Sequence, residues 1–460
     1  MALNNKQTIA IGVVAALLIA GVAGGFVLLK NDDGDGKKFN MEANFCLDVY
    51  GNANDDLAID QKDLDIINKI ISKEATFEDY PMADADYNDE VDEDDAKLVQ
   101  KLINGESAKV NIISLDKAGK EKVTEVPYPL TNVVAWGTNM TVPFVTAGGL
   151  NGAGVGYFIQ NPSGSYADAD RLLLNSDLKK LGLESNRVMD DNAWSEFKAL
   201  DTSLESSGGI QALLVDHSLG ALDKGVYRSD LAAAGIPEIR LAVADGDGEI
   251  NAVLLMGFLF GGDCEKLGYD YAALGKKVYD EIRGFTKDLK DSDKQTYIAF
   301  NMGKYICQNN SSYNHTPAYV NGIPYYVVNE DFAKDYAGTS SVQMQSAEAL
   351  ANYDDADKLI SFRSWDYDSN SDYVKKNQWD KFKGSFDTLD SYENLVYINN
   401  ILPGAIKMAY IAHILYPNLV SEDYAESVFT DVAKLVPSLE GYTVDNSIIV
   451  YTYEDYTASA

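Results

Sequence analysis

The chain has 460 residues, with 71 Asp and Glu against 38 Lys and Arg, and a formal net charge of −33 at pH 7. Such acidity excludes nucleic acid as a partner, because that needs a basic face, and the length allows about two to four domains. Three histidines (His217, His315, His413) and three widely separated cysteines (Cys46, Cys264, Cys307) argue against a His-based transition-metal site and give no disulfide framework.

At the N-terminus, TIAIGVVAALLIAGVAGGFVLL (8–29) carries no charge. With a rise of about 1.5 Å per residue it is long enough to cross a bilayer core, and it exceeds the roughly 7–15 apolar residues of a cleaved leader. The sequence therefore predicts an anchor or signal segment over residues 1–30, read as an uncleaved transmembrane helix. A flexible tether follows over 31–43, and the bulk of the chain lies outside the cell.

Next come NANDDLAIDQKD (52–63) and DADYNDEVDEDD (84–95). Placed in register, they carry oxygen-bearing side chains at loop positions 1, 3, 5, 9 and 12: Asn52, Asn54, Asp56, Asp60 and Asp63, then Asp84, Asp86, Asn88, Asp92 and Asp95. A loop wrapped around Ca²⁺ needs this alternation, with a backbone carbonyl from position 7 (Ala58, Glu90) and a last acid closing the cage from a helix's first turn. Two Ca²⁺ sites are predicted. Ile59 and Val91 at position 8 predict a short strand contact between the loops, and LDIINKIISK and AKLVQKLING continue each loop with helical periodicity. The plain alternative is a solvated acidic linker.

This duplicated loop–helix unit resembles a dockerin, with the module placed at 44–107. It departs at position 6, where Leu57 and Asp89 replace the usual Gly, and position 12 is Asp rather than the longer Glu of sensor EF-hands. The resemblance implies a Ca²⁺-dependent fold and a cohesin-like partner touching Gln61, Lys62, Glu93 and Asp94.

From residue 108 the pattern changes to a hairpin and then to continuous apolar runs alternating with helical stretches. Strands are predicted at Val133–Trp136, in GIQALLVDHS (209–218), over Arg240–Val243, and in TYIAFNMG (296–303), KLISFRS (358–364) and NLVYINN (394–400). Runs of this kind suit a parallel sheet buried on both faces. CEKLGYDYAALGKKVYDEIRGFTKDLKD (264–291) is predicted as one long amphipathic helix, DGDG (245–248) as a turn, SAEALANY (346–353) as a helix, and GAIKMAYIAHILYP and SEDYAESVFTDVAKLV as the closing helices.

Two α/β halves joined by a long helix look like the class III substrate-binding proteins of ABC importers, which take up cobalamin, haem and iron–siderophore complexes. The resemblance rests on YPLTNVVAWGTNMTVPFVTAGG, AAAGIPEIRLAV, LLMGFLFGGDCEKLGYDYAALGKKVYDEI and LPGAIKMAYIAHILYPNL, in that order. It implies an α/β fold of two Rossmann-like lobes, at 108–263 and 292–460, on a spine helix at 264–291. It further implies a metal-chelate ligand in the cleft between them and an ABC permease as partner. Carried over by position, the ligand loops hold Trp136, Thr138, Asn139, Tyr157 and His217 in the first lobe, and Tyr305, Arg363, Trp365 and Tyr367 in the second. The aromatics would stack on a flat ligand, Arg363 would meet a carboxylate or phosphate, and Asp223 lies near a permease-docking position. No nucleophile elbow, HExxH or phosphate loop marks an enzyme. A dockerin-bearing surface scaffold and a carbohydrate-active surface protein are the alternative readings.

Overall fold

The computed structural model describes residues 43–116, 120–136, 140–149, 157–159, 198, 201–216, 231–243, 246–301, 305–307, 316, 317, 319, 320, 341–343, 356–363, 365, 369–387 and 389–458. The expected anchor at 8–29 and the expected helix at 346–353 lie outside them. Among the described residues no helix is long and apolar enough to cross a membrane.

The duplicated loops lead into two matched helices, α1 (Gln61–Ile71) and α2 (Glu93–Ile103). Asp60 and Asp92 cap them in nearly the same extended conformation (φ −136°, ψ −168° and φ −140°, ψ −166°), and Asp63 and Asp95 reach back to the cap backbone to close a capping box in each. The apolar faces, Leu64 and Ile67 on α1 and Val99 and Leu102 on α2, are buried. No ladder joins Ile59 to Val91 among the described residues. The amides at 58, 60, 90 and 92 instead donate to side chains of their own loops.

The segment before the first loop pairs with strand β1 (Ala108–Leu115): Val49 bridges Ile112, the Tyr50 amide donates to the Asn111 carbonyl (2.9 Å) and the Ile113 amide to the Asp48 carbonyl (3.0 Å). This covers a stretch of β1 that its sheet neighbour does not reach, since the β6 pairing is confined to Leu115↔Arg240. An edge left open there would be a template for foreign strands.

The first sheet continues with β2 (Glu121–Tyr128), β3 (Val133–Trp136), β4 (Tyr157–Ile159), β5 (Ala212–Asp216) and β6 (Glu238–Leu241), in the order β2-β1-β6-β5-β3-β4. β1 runs antiparallel to both neighbours; β6, β5, β3 and β4 are parallel. Every residue of β5 is buried, the burial that its unbroken apolar run predicts. β6 begins at Glu238, two residues before the expected start at Arg240.

A short helix, α3 (Thr141–Thr146), follows β3, and two long helices form the spine: α4 (Gly246–Phe260) and α5 (Asp263–Thr286). Residues 246–248, expected as part of a turn, open the first of these helices, and the expectation of a single long helix gives way to two. Beyond a first part that carries Asp247, Glu249 and Asn251, α4 is apolar on all sides from Ala252 to Phe260, as a buried helix is, so it shows no amphipathic period to detect. α5 ends at Thr286, short of the expected 291, and buries Cys264, Tyr271, Val278, Tyr279 and Ile282 along one stripe. The two helices touch backbone to backbone at Gly257 and Gly268: a Cβ on Gly257 would lie 2.9 Å from the Gly268 Cα.

The second sheet has the order β12-β11-β10-β7-β8-β9, built from β7 (Tyr297–Asn301), β8 (Tyr305–Cys307), β9 (Ser341–Gln343), β10 (Lys358–Arg363), β11 (Leu395–Asn399) and β12 (Val450–Thr452). β7, β10 and β11 are parallel; β8, β9 and β12 pair antiparallel. Helices α6 (Gly404–Leu415) and α7 (Glu422–Ala433) follow β11, with α6 buried through most of its length, and a short helix, Tyr453–Ala458, comes after β12. One hydrophobic core runs from Phe45 and Ile67 through α4 and α5 to Ile360 and Ile398, so the loop module and both sheets share it. A smaller aromatic cluster, including Trp365, Trp379, Phe386, Tyr397 and Tyr451, lies apart from it.

Candidate functional site

The second acidic loop is shaped by its own carboxylates. Asp84 accepts from the amides of Asn88 (2.9 Å) and Asp89 (2.8 Å), and Asp95 from those of Asp86 (3.1 Å) and Asp92 (2.8 Å). Tyr87 (φ 61°) and Asp89 (φ 72°) take the left-handed conformation, so Asp89 makes the turn usually left to Gly at position 6; Asp tolerates that region better than most residues. Asp84, Asp86 and Asp95 bring carboxylate oxygens within 4.8 Å of one another, and two of the three are buried. Burial, and then the charge of neighbouring acids, pushes the Asp86 carboxyl above its ordinary range. Burial does the same for Asp95, against the pull of its two backbone hydrogen bonds. Carboxylates so close repel, and an all-oxygen set fits a hard cation such as Ca²⁺ better than zinc.

The first loop shares the scaffold but not the charge. Asp63 accepts from Asn54 (3.1 Å) and Asp60 (2.7 Å) amides, as Asp95 does in its loop, and burial raises its carboxyl to about 6. Leu57 at position 6 is not left-handed; the one positive φ in this loop is Asp55, at 56°. The Asn52 amide nitrogen donates to the Leu47 and Asp56 carbonyls, while its buried Oδ1 accepts no hydrogen bond, an acceptor that a cation would satisfy. Lys62 supplies a positive charge from within, 2.9 Å from Asp60 and 3.4 Å from Asp56. Asn52, Asn54, Asp56, Asp60 and Asp63 thus occupy one loop, as do Asp84, Asp86, Asn88, Asp92 and Asp95, but the close acid cluster forms in the second alone among the described residues. Asn111 had no signal in the sequence. From β1 its Nδ2 donates to the carbonyl of Ala85 (3.4 Å), between two acids of that cluster.

The second candidate region lies at the carboxyl ends of the parallel strands. β3 is flanked by the parallel strands β4 on one side and β5 on the other, so the chain reverses its winding there; β7 lies between the parallel β10 and the antiparallel β8. Ligands of open α/β sheets lodge outside such switch points. The backbone places Trp136 at the end of β3, paired with Ile159 and Val215, and Tyr305 at the start of β8, paired with Asn301 at the end of β7; Tyr157, expected in a loop after a strand, instead opens β4 opposite Val134, at the amino end of that parallel strand. Thr138, Asn139, His217, Asp223 and Tyr367 fall outside the described residues.

Two expected ligand residues belong to the interior instead. Trp365 is 1% exposed within the smaller aromatic cluster, and its Nε1 donates to the Ile448 carbonyl (2.7 Å). Its ring is not offered to a ligand. Arg363 is buried with its Nε donating to Gln378 (2.8 Å) and its guanidinium 4.0 Å from the centre of the Phe382 ring. A charge held this way is satisfied by its own lobe.

No protein-family model matches the chain, and no curated protein matches it. Solved structures do. The TroA-like periplasmic binding protein FepB from Veillonella parvula superposes with a TM-score of 0.52 at 13% identity, covering 74% of this chain and 99% of that one. A periplasmic solute binding protein from Veillonella parvula DSM 2008 (TM-score 0.45, 12% identity, 74% and 97% covered) and an ABC transporter solute binding protein from Sulfurospirillum deleyianum DSM 6946 (TM-score 0.45, 13% identity, 73% and 96% covered) are more distant. The first of these establishes the fold: the two sheets and their spine form the mixed α/β architecture of a TroA-like periplasmic binding protein.

Proposed function

We propose that the chain is the capture component of an ABC importer, holding a metal chelate in the cleft between its two sheets and delivering it to a permease. The observation that carries this reading is the switch point at β3, set with a second parallel-cored sheet on one two-helix spine, in a fold shared with a periplasmic binding protein. A spine of two helices in backbone contact limits closure, so the cleft suits a bulky, pre-shaped guest rather than a small one that must be wrapped. An iron–siderophore complex, haem or a corrinoid has that shape. With Trp365 and Arg363 in the interior and Tyr157 at the amino end of β4, the stacking surface in this reading falls to Trp136, Tyr305 and Tyr367. Residues 8–29 hold the protein at the cell surface. Calorimetry with cobalamin, haem, several ferric siderophores and several sugars tests the ligand class; tight binding of a simple sugar with no response to any chelate overturns it.

In the same reading the dockerin-like module is a Ca²⁺-stabilised element, with the second loop the stronger of two sites. The support is its close acid cluster, set against the Lys62 ammonium in the first loop. A cohesin-like partner is the second reading. It is favoured by the exposure of Gln61, Lys62, Glu93 and Asp94 on the opening turns of α1 and α2. Pull-down with cohesin domains in Ca²⁺ and in chelator separates the two.

A further inference from the structure

Glu249 is the buried acid that neither candidate site uses. It lies in the first turn of α4 and is 4% exposed. The Tyr271 hydroxyl, from α5, donates to it at 2.8 and 2.9 Å from its two oxygens, and the Gly404 amide, at the start of α6, donates at 3.0 Å. One carboxyl therefore joins both spine helices to the second half of the chain.

The joint leads to the carboxyl ends of the second sheet, the edge that, on the function proposed above, borders the ligand cleft. Lys407, one turn into α6 and 5% exposed, donates to the Asn400 carbonyl (3.4 Å), and the Asn400 amide donates to the carbonyl of Arg363 at the end of β10 (2.6 Å). Beside it, the Asn399 side chain donates to the Trp365 carbonyl (2.9 Å) and accepts from its amide (3.4 Å). Residues 399–404 thus run from the carboxyl ends of β10 and β11 to the Glu249 contact.

We propose that Glu249 is a protonation latch between the spine and the 399–404 loop, holding the cleft edge of the second sheet against α4 and α5 and releasing it as the carboxyl ionises. The groups facing it are Tyr271 from α5 and Lys407 and the Gly404 amide from α6; its own helix carries Asp247 two residues before it. Burial raises the carboxyl from 4.5 to about 7, against the opposing pull of Tyr271, Lys407 and Gly404. Separating α6 from α4 would return the group to water and to its ordinary range. The latched state then binds the extra proton. Its advantage is complete at pH below the ordinary carboxyl range and is lost as pH rises through the latched value near 7.

The test is hydrogen exchange on the full chain in detergent, reading the segment containing Gly404 after correction for intrinsic rates. Opening of that segment should rise by up to about ten-fold per pH unit on the approach to neutrality and level off above it, as for one linked proton. Glu249→Gln should remove the slope. Tyr271→Phe, which keeps the ring and removes a donor to the carboxylate, should move the midpoint upward; a merely structural role for the hydroxyl would lower protection at every pH without moving it. A flat profile in the parent chain, or a slope that survives in Glu249→Gln, overturns the proposal. If Glu249→Gln does not fold, the Tyr271→Phe midpoint decides, and an unmoved midpoint counts against it.

Discussion

Lys62 turns its ammonium onto Asp60 at 2.9 Å, whereas Asp94, the residue at the same position of the second loop, turns away to Lys97 at 2.6 Å. The same backbone repeat therefore carries an internal cation in one copy and a converging set of acids in the other. Replacing Lys62 with Met should strengthen cation binding at the first loop by roughly two- to five-fold, the scale of an exposed ion pair. Terbium luminescence sensitised by nearby tyrosines measures it; no change would mean that Lys62 does not compete for the first loop's oxygens.

Asp95 and Asp94 are neighbours with opposite roles. Asp95 is fully buried and accepts from two loop amides, while the exposed Asp94 side chain pairs with Lys97. Asp95→Ala should weaken Ca²⁺ binding by at least about ten-fold, since it removes a buried ionised acceptor, and Asp94→Ala should change it by less than about two-fold. Calorimetry on both variants is decisive, and equal losses would sink the register proposed for the loop.

Chelating Ca²⁺ should destabilise more than the module. Phe45 packs edge-on against Tyr279 of the spine at 4.9 Å, and Asn251 of α4 donates to the Asn44 carbonyl at 2.8 Å. With the shared core, these contacts make a loosened module a loosened first sheet. The expected result in chelator is a lower thermal midpoint for the chain as one cooperative unit. A module that melts alone, leaving the remainder unchanged, would contradict this.

Trp365→Ala and Trp136→Ala should fail in different assays. Trp365 fills a core, so its loss should cost about 3–5 kcal/mol of stability in a urea titration. Trp136, if it stacks on ligand, should cost about 1–3 kcal/mol of affinity, by analogy with base–aromatic stacking, at little cost in stability. A Trp136→Ala protein that binds its chelate as tightly as the parent would remove that residue from the site.

Removing residues 1–30 should release the protein from the membrane and leave Ca²⁺ binding intact. N-terminal sequencing of the native protein is the complementary check: a mature start beyond Gly25 would make the segment a leader and not an anchor.

Sequence alone was enough for whatever is written in neighbouring residues. The repeated Asp at positions 9 and 12 builds a capping box from a spacing of three, so α1 and α2 and the ladder of loop oxygens were legible, as was the order of apolar strands. α4 was missed because a helix buried on every side has no polar face to mark its period. Trp365 was misplaced because an aromatic at a strand end reads the same whether it faces a ligand or a core; the Ile448 carbonyl that holds it is 83 residues away. Glu249 gave no signal at all, its partners lying 22 and 155 residues on. Capping and periodicity act within one or two turns of chain, so composition and spacing determine them. Which polar atoms are driven out of water together depends on how distant segments pack, and only the tertiary structure decided that.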